Sequence, residues 1–188
     1  MLIANAVGEG NVMHHTRFGT GTWVKLILVP IAWLLWVVGA SAGAYEETKE
    51  RTIITITGKI SPDIPNGAAR IGYDTFKKIG VKEMETRTFY SKKRYKFSGV
   101  LMRDLLDYVG ANGETLEVTA LDDYRINIPI ADYQKYDVLL AFKLDGKNLS
   151  IRDRGPARII YPIEQHSELS DKKYASRYIW QIKGMRVK

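Results

Sequence analysis

The sequence predicts one α+β domain, mixed and mostly β, on three observations. Short β-branched runs recur over residues 52–187, a single strong helical pattern stands among them, and no repeat, low-complexity run or linker divides them. With 188 residues, 45% of them apolar, the chain can bury one core.

Residues 1–44 read as a separate block. Arg17 and Lys25 precede an uncharged apolar run, residues 26–38, and Gly39-Ala40-Ser41-Ala42-Gly43-Ala44 follows, the pattern of a secretory signal peptide. Cleavage fits after Ala42 or after Ala44, and the second frame opens a mature chain, residues 45–188, on Tyr45-Glu46-Glu47. Met13 is an alternative start, with His14, His15, Arg17 and Lys25 as the charged region. The competing reading is an uncleaved anchor, because residues 26–44 are uncharged and a span needs about 20 residues; Pro30 and the small residues at the end favour cleavage. Either way the globular part is expected in the periplasm.

The elements follow in order. Residues 52–60, Thr-Ile-Ile-Thr-Ile-Thr-Gly-Lys-Ile, are expected as a strand that stops before Pro62 and Pro65. Tyr73–Ile79 reads as a short helix closed by Gly80, and residues 81–90 as a strand with Thr86, Thr88 and Phe89. Lys92-Lys93-Arg94 is read as a basic turn into Tyr95-Lys96-Phe97. Val100, Leu101, Leu105 and Val109 fall at helical spacing, with Gly110 placed to end the helix. Residues 116–121 alternate as a strand, Asp122-Asp123 turns the chain into a strand over residues 124–128, and Pro129 starts a helical turn through Tyr133. Residues 138–144 form an almost continuous apolar strand ending at a hairpin signal, Asp145-Gly146. A polar turn at Arg152-Asp153-Arg154-Gly155-Pro156 precedes a buried strand, residues 157–161. The last strand is expected over residues 178–187.

Composition excludes several chemistries. The chain has no cysteine, so thiolate catalysis, cysteine metal ligation and disulfides are absent. Within residues 45–188 the only histidine is His166, expected in an exposed loop, and this argues against the common zinc sites. The only tryptophan there is Trp180, expected in the core, whereas all 11 tyrosines remain. The chain carries a net charge of +7, which drops by one without Arg17, Lys25 and Glu9. That suits an anionic ligand, a membrane surface or an acidic partner, or simply a solvated surface with scattered lysines. Nucleic acid is a poor partner outside the cytoplasm.

Several segments then fall in a familiar order: Phe97-Ser98-Gly99-Val100-Leu101 with Asp104-Leu105-Leu106, Ala120-Leu121-Asp122-Asp123-Tyr124, Leu140-Ala141-Phe142, Asp145-Gly146-Lys147, Ser150-Ile151-Arg152-Asp153, Gly155-Pro156-Ala157-Arg158-Ile159-Ile160-Tyr161-Pro162, and residues 176–183. Together they resemble the sulfite-oxidase fold, the molybdopterin-binding oxidoreductase domain, over residues 52–187. Enzymes of that family hold molybdenum through a cysteine, which this chain lacks, and their twin-arginine leader is missing as well. Redox catalysis is therefore not expected, nor a metal. Among exported relatives without that cysteine, the chain is most similar to the periplasmic pterin-binding proteins of the PruR type. That resemblance implies a free, reduced pterin of neopterin or monapterin type as ligand. It also implies a membrane-bound diguanylate cyclase/phosphodiesterase as partner, with cyclic di-GMP and biofilm formation as output. Two alternatives stay open: a domain or subunit of a molybdopterin-dependent oxidoreductase, and an interaction module with no ligand.

A pterin needs a flat surface to stack on, a carboxylate for its adjacent donors, and donors for its carbonyl and hydroxyls. Asp122 and Tyr124 at a strand end offer a carboxylate and an aromatic, or else an ordinary Asx turn. Arg152 and Asp153 offer polar groups beside the strand that lines the cofactor pocket in the wider family, or else a solvated loop. Tyr90, with Thr88 before it, stands by the resemblance where an aromatic, often tryptophan, is expected on the strand that carries the enzymes' cysteine, or else is an ordinary core tyrosine. Ser176 and Arg177 precede the last strand and can reach the same pocket. Lys92-Lys93-Arg94 is a solvated turn or a basic patch that faces a partner.

Overall fold

Alternating branched residues start the first sheet in the computed structural model, which describes residues 45–47 and 49–188. The leader or anchor expected over residues 1–44 lies outside the described residues. In β1 (Ile54–Gly58) the isoleucines Ile54 and Ile56 are fully buried, while Thr55 and Thr57 stay half-buried on the other face. The remaining strands are β2 (Ala68–Ile71), β3 (Lys82–Thr88), β4 (Ser91–Leu101), β5 (Thr115–Ala120), β6 (Arg125–Pro129), β7 (Leu139–Leu144), β8 (Lys147–Asn148), β9 (Arg158–Ile160) and β10 (Ile182–Val187). Three helices, α1 (Tyr73–Ile79), α2 (Met102–Tyr108) and α3 (Ile130–Lys135), lie between them, with 3-10 turns over Ser167–Ser170 and Lys172–Arg177.

The strands form two sheets. One runs β2-β1-β10-β5-β6, with β1 and β10 parallel and the other pairs antiparallel. The other runs β3-β4-β7-β8, with β9 pairing β7 beside β8. Strand β7 explains its own sequence: Leu140 and Phe142 enter the main core, whereas Leu139 and Ala141 pack with Met84, Phe97 and Ile160 on the opposite face. A strand covered on both sides has no polar face to show. Phe76 of α1 stacks on Phe142 with ring centroids 4.7 Å apart, tying that helix to the second sheet.

Helix α1 has the bounds expected, and Gly80 beyond it, at φ +110°, returns its N–H to the Phe76 carbonyl. The hairpin signal is also met, with Asp145 and Gly146 both at positive φ between β7 and β8.

Three expectations are corrected, and one strand was not expected. Lys92-Lys93-Arg94 is not a turn: the chain reverses at Phe89-Tyr90, and the basic residues open β4, where Arg94 pairs with Arg87 across the ladder. Exposed basic side chains on a hairpin read as a turn in sequence, yet the backbone is paired. Val100 and Leu101 finish β4, so α2 begins only at Met102. The last strand starts at Ile182, because Gln181 takes φ 53° and breaks the extended run. Strand β2, whose Ala-Ala-Arg-Ile carries little β propensity, had no sequence signal.

Candidate ligand-binding site

Four chain reversals meet at one end of the sheets. They are the β3–β4 turn with Tyr90, the β5–β6 turn with Asp122 to Tyr124, the loop after β8 with Arg152 to Arg154, and the segment from Lys172 to Gln181. The backbone ties them together: Leu121 N–H donates to the Gln181 carbonyl at 2.8 Å, Gln181 N–H to the Arg154 carbonyl at 3.2 Å, and the Gln181 side chain to the Ile151 carbonyl at 2.9 Å.

Two cavities open among these turns. The larger, about 470 Å³, is lined by aromatic residues, Tyr90, Tyr124, Tyr178 and Trp180, together with Asp122, Ser176, Lys172 and Gln181. Its volume and its mixture of ring faces with a few polar groups suit a small flat ligand. Asp122 accepts from the Tyr124 N–H at 3.1 Å through one oxygen, so it forms the Asx turn and also faces the cavity. Its neighbour Asp123 is engaged by Lys183 at 2.5 Å, which holds the Asp123 carboxyl below the usual range. Tyr90 is 54% exposed, donates its hydroxyl to the Ala175 carbonyl at 2.9 Å, and meets Trp180 edge-on at 6.0 Å.

The smaller cavity, about 230 Å³, shares Tyr90 with the larger among its lining residues. Thr88, Tyr95, Arg152, Asp153, Arg154 and Arg158 line it. Asp153 is held by the Ser150 hydroxyl at 2.6 Å. Arg158 is only 6% exposed, and its Nε has no hydrogen-bond partner among the described residues. Burial, and then the Arg154 charge, push its guanidinium down to about 10.

The sequence-predicted residues thus divide. Tyr90, Asp122, Tyr124 and Ser176 come together around the larger cavity, and Thr88, Arg152 and Asp153 around the smaller, with Tyr90 in both. Arg177 lines neither; its guanidinium pairs with Asp132 inside the protein and lies over the Tyr174 ring at 4.7 Å. Trp180, expected in the core, is 36% exposed and lines the larger cavity, because the turn at Gln181 carries it out of the strand. His166 is half-buried, with its ring 4.9 Å from that of Tyr136. Sequence reasoning missed Arg154 and Arg158 as site residues. One signal was available for Arg158: a charge inside the apolar run Ala157-Arg158-Ile159-Ile160 is rare without a ligand or a partner.

Residues 75–166 match the family model of the oxidoreductase molybdopterin binding domain. Among solved structures the chain is similar to the sulfane dehydrogenase SoxCD from Paracoccus pantotrophus, with a TM-score of 0.54 and 13% identity, over 92% of this chain and 56% of that one. The chain therefore spans little more than half the length of that solved chain. A search of curated proteins found no match. The fold is the sulfite-oxidase fold, and residues 75–166 are similar to the molybdopterin-binding oxidoreductase domain.

The cofactor named by that family has two parts, and the residues present fit them unequally. For the pterin part, the larger cavity offers aromatic residues and a carboxylate. The metal part meets no soft donor, since the chain has no cysteine, and among the described residues no three His, Asp or Glu gather as ligands. The donor set does not fit a thiolate-held molybdenum.

Proposed function

We propose that the chain is a periplasmic, non-catalytic pterin-binding sensor that regulates a membrane-bound diguanylate cyclase/phosphodiesterase. The observation that carries the reading is the larger cavity: Tyr90, Tyr124 and Trp180 line it together with Asp122, in a molybdopterin-binding-type fold without the thiolate for molybdenum. A pterin ring stacks on an aromatic face, and its adjacent donors pair with one carboxylate, so the two features select the same ligand. The ligand is a pterin of neopterin or monapterin type, in its reduced form. Support for export comes from residues 26–44, and support for a regulatory output comes from the resemblance to the PruR type.

Titration with monapterin and with dihydroneopterin tests this reading. Trp180 lies in the cavity wall and reports binding by its fluorescence, with Trp180→Phe as the control for signal from other tryptophans. Saturable quenching at one pterin per chain supports the reading, and no binding of either pterin overturns it.

A further inference from the structure

Four tyrosines run in ring-to-ring contact from the wall of the larger cavity into the interior. Tyr178 lines the cavity, and its ring centroid lies 5.4 Å from that of Tyr161. Tyr161 lies 5.7 Å from Tyr174, and Tyr174 lies 6.1 Å from Tyr136, with those last two hydroxyl oxygens 3.3 Å apart. All four are buried, none more than 6% exposed. Beyond Tyr136 the row meets the surface: the half-buried His166 ring stands 4.9 Å from it, and the exposed Lys135 places its ammonium 4.7 Å from the ring centre.

Close packing explains why the rings touch, but not where their phenol protons point. Tyr161 donates to the Asp132 carboxylate at 2.7 Å, and Tyr136 to the Glu168 carboxylate at 3.1 Å. Both lie within the reach that a proton acceptor needs. Tyr174 reaches Glu168 through the Tyr136 hydroxyl. A phenol that loses an electron but keeps its proton leaves a bare positive charge in an apolar interior, which is costly. A carboxylate at hydrogen-bond distance removes that cost by taking the proton as the electron leaves. Tyr133 is the contrast: it is fully buried, yet its hydroxyl has no partner among the described residues and its proton has nowhere to go. Electron transfer falls off steeply with distance, so a row of short steps between rings outruns one long jump.

We propose that Tyr136, Tyr174, Tyr161 and Tyr178 form a relay that carries one-electron oxidation from the surface to the ligand in the larger cavity. An oxidant that never enters the cavity, such as a peroxyl radical, then resets the redox state of a reduced pterin bound there. The oxidant takes one electron from Tyr136, whose proton passes to Glu168. Tyr174 refills Tyr136 with an electron and, across the hydroxyl contact, a proton. Tyr161 refills Tyr174 while its own proton passes to Asp132, and the Glu168 proton returns to Tyr174 through Tyr136. Tyr178 donates its hydroxyl only to the Tyr161 carbonyl, at 3.4 Å, so it bridges the last step without holding the oxidised state. Through it Tyr161 is refilled by the pterin and regains its proton from Asp132. In sum one electron leaves the pterin for the oxidant, one proton leaves it for water, and every tyrosine is restored. The last step rests on the pterin reading above.

The chain has no cysteine, so Lys135→Cys in the full chain gives a single thiol beside Tyr136 for a ruthenium tris-bipyridyl photo-oxidant. Tyr161→Phe, Tyr174→Phe and, as control, Tyr133→Phe are added to it, and a thermal melt verifies that each folds. Flash oxidation of the ligand-free protein is expected to give a tyrosyl radical whose electron paramagnetic resonance spectrum changes in Tyr161→Phe. With dihydroneopterin bound, the radical should decay at least tenfold faster as the reduced pterin is consumed. Tyr161→Phe and Tyr174→Phe should each slow pterin oxidation at least tenfold and leave dihydroneopterin affinity within threefold, while Tyr133→Phe should change the rate less than twofold. Pterin oxidised as fast in Tyr161→Phe and Tyr174→Phe as in the parent overturns the relay, as does a radical confined to Tyr136. A relayed radical in protein that binds no dihydroneopterin supports the relay and refutes the pterin reading instead.

Discussion

Arg177 and Asp132 form an ion pair in the interior, where Asp132 is 8% exposed and also accepts from the Tyr161 hydroxyl at 2.7 Å. The pair joins α3 to the segment before β10, and it gives Arg177 a structural task in place of the ligand contact expected from sequence. Burying either charge alone is far more costly than burying the pair.

Arg177→Ala should therefore destabilise the domain by about 3–5 kcal/mol, because it strands the Asp132 carboxylate. Urea unfolding measures this, and pterin affinity of the folded fraction should stay within threefold. A large loss of affinity with little loss of stability would return Arg177 to the site.

Asp122→Ala should weaken pterin binding at least tenfold, about 1.4 kcal/mol, by removing the acceptor for two adjacent donors. Asp122 is exposed, so unfolding curves should move little. Asp122→Asn keeps the turn oxygen for the Tyr124 N–H and should still lose affinity, which separates the ligand contact from the turn.

Gly99→Ala should cost about 1–3 kcal/mol or more, since a β-carbon at Gly99 runs into the Leu140 carbonyl where β4 and β7 shift register. Neither backbone can yield without breaking the ladder. A stability loss below about 0.5 kcal/mol, the usual size of an indifferent surface change, would contradict the close approach.

Burial raises the hydroxyl pKa of Tyr133, Tyr161 and Tyr178 well above the ordinary value of 10. Above about pH 10 the unfolded chain releases these protons while the folded chain keeps them, so the unfolded state binds fewer protons and stability falls as pH rises. Each group contributes up to about 1.4 kcal/mol per pH unit there, and nothing below its unfolded pKa. Urea midpoints should thus be level up to about pH 9 and fall steeply by about pH 11. The Tyr133 hydroxyl has no partner among the described residues, so Tyr133→Phe should be neutral or stabilising, by up to about 1 kcal/mol, and should flatten the alkaline fall.

Sequence revealed the fold where local chemistry and tertiary position agree. The alternation of Ile54 and Ile56 with threonines, the Tyr73–Ile79 helix ahead of Gly80, and the Asp145-Gly146 hairpin each carry their own signal. It failed where the decision is tertiary. Whether Val100 ends a strand or begins a helix is settled by its pairing with Leu140, a partner 40 residues away in sequence. The site was legible in the same measure. Tyr90, Asp122, Tyr124 and Ser176 sit at chain reversals and were found as such, but Trp180 depends on one residue of unusual φ at Gln181. Arg177 looked free because its partner Asp132 lies 45 residues earlier. Nothing in the local sequence of Arg158 says that no carboxylate will reach it.

The measurement that tests the central claim most directly is made on protein purified from its native host, denatured, with its released small molecules followed by pterin fluorescence and mass spectrometry and molybdenum assayed in parallel. The pterin-sensor account predicts about one pterin per chain and no molybdenum. Molybdenum together with a pyranopterin dithiolene would contradict it and make the domain an oxidoreductase despite the missing cysteine.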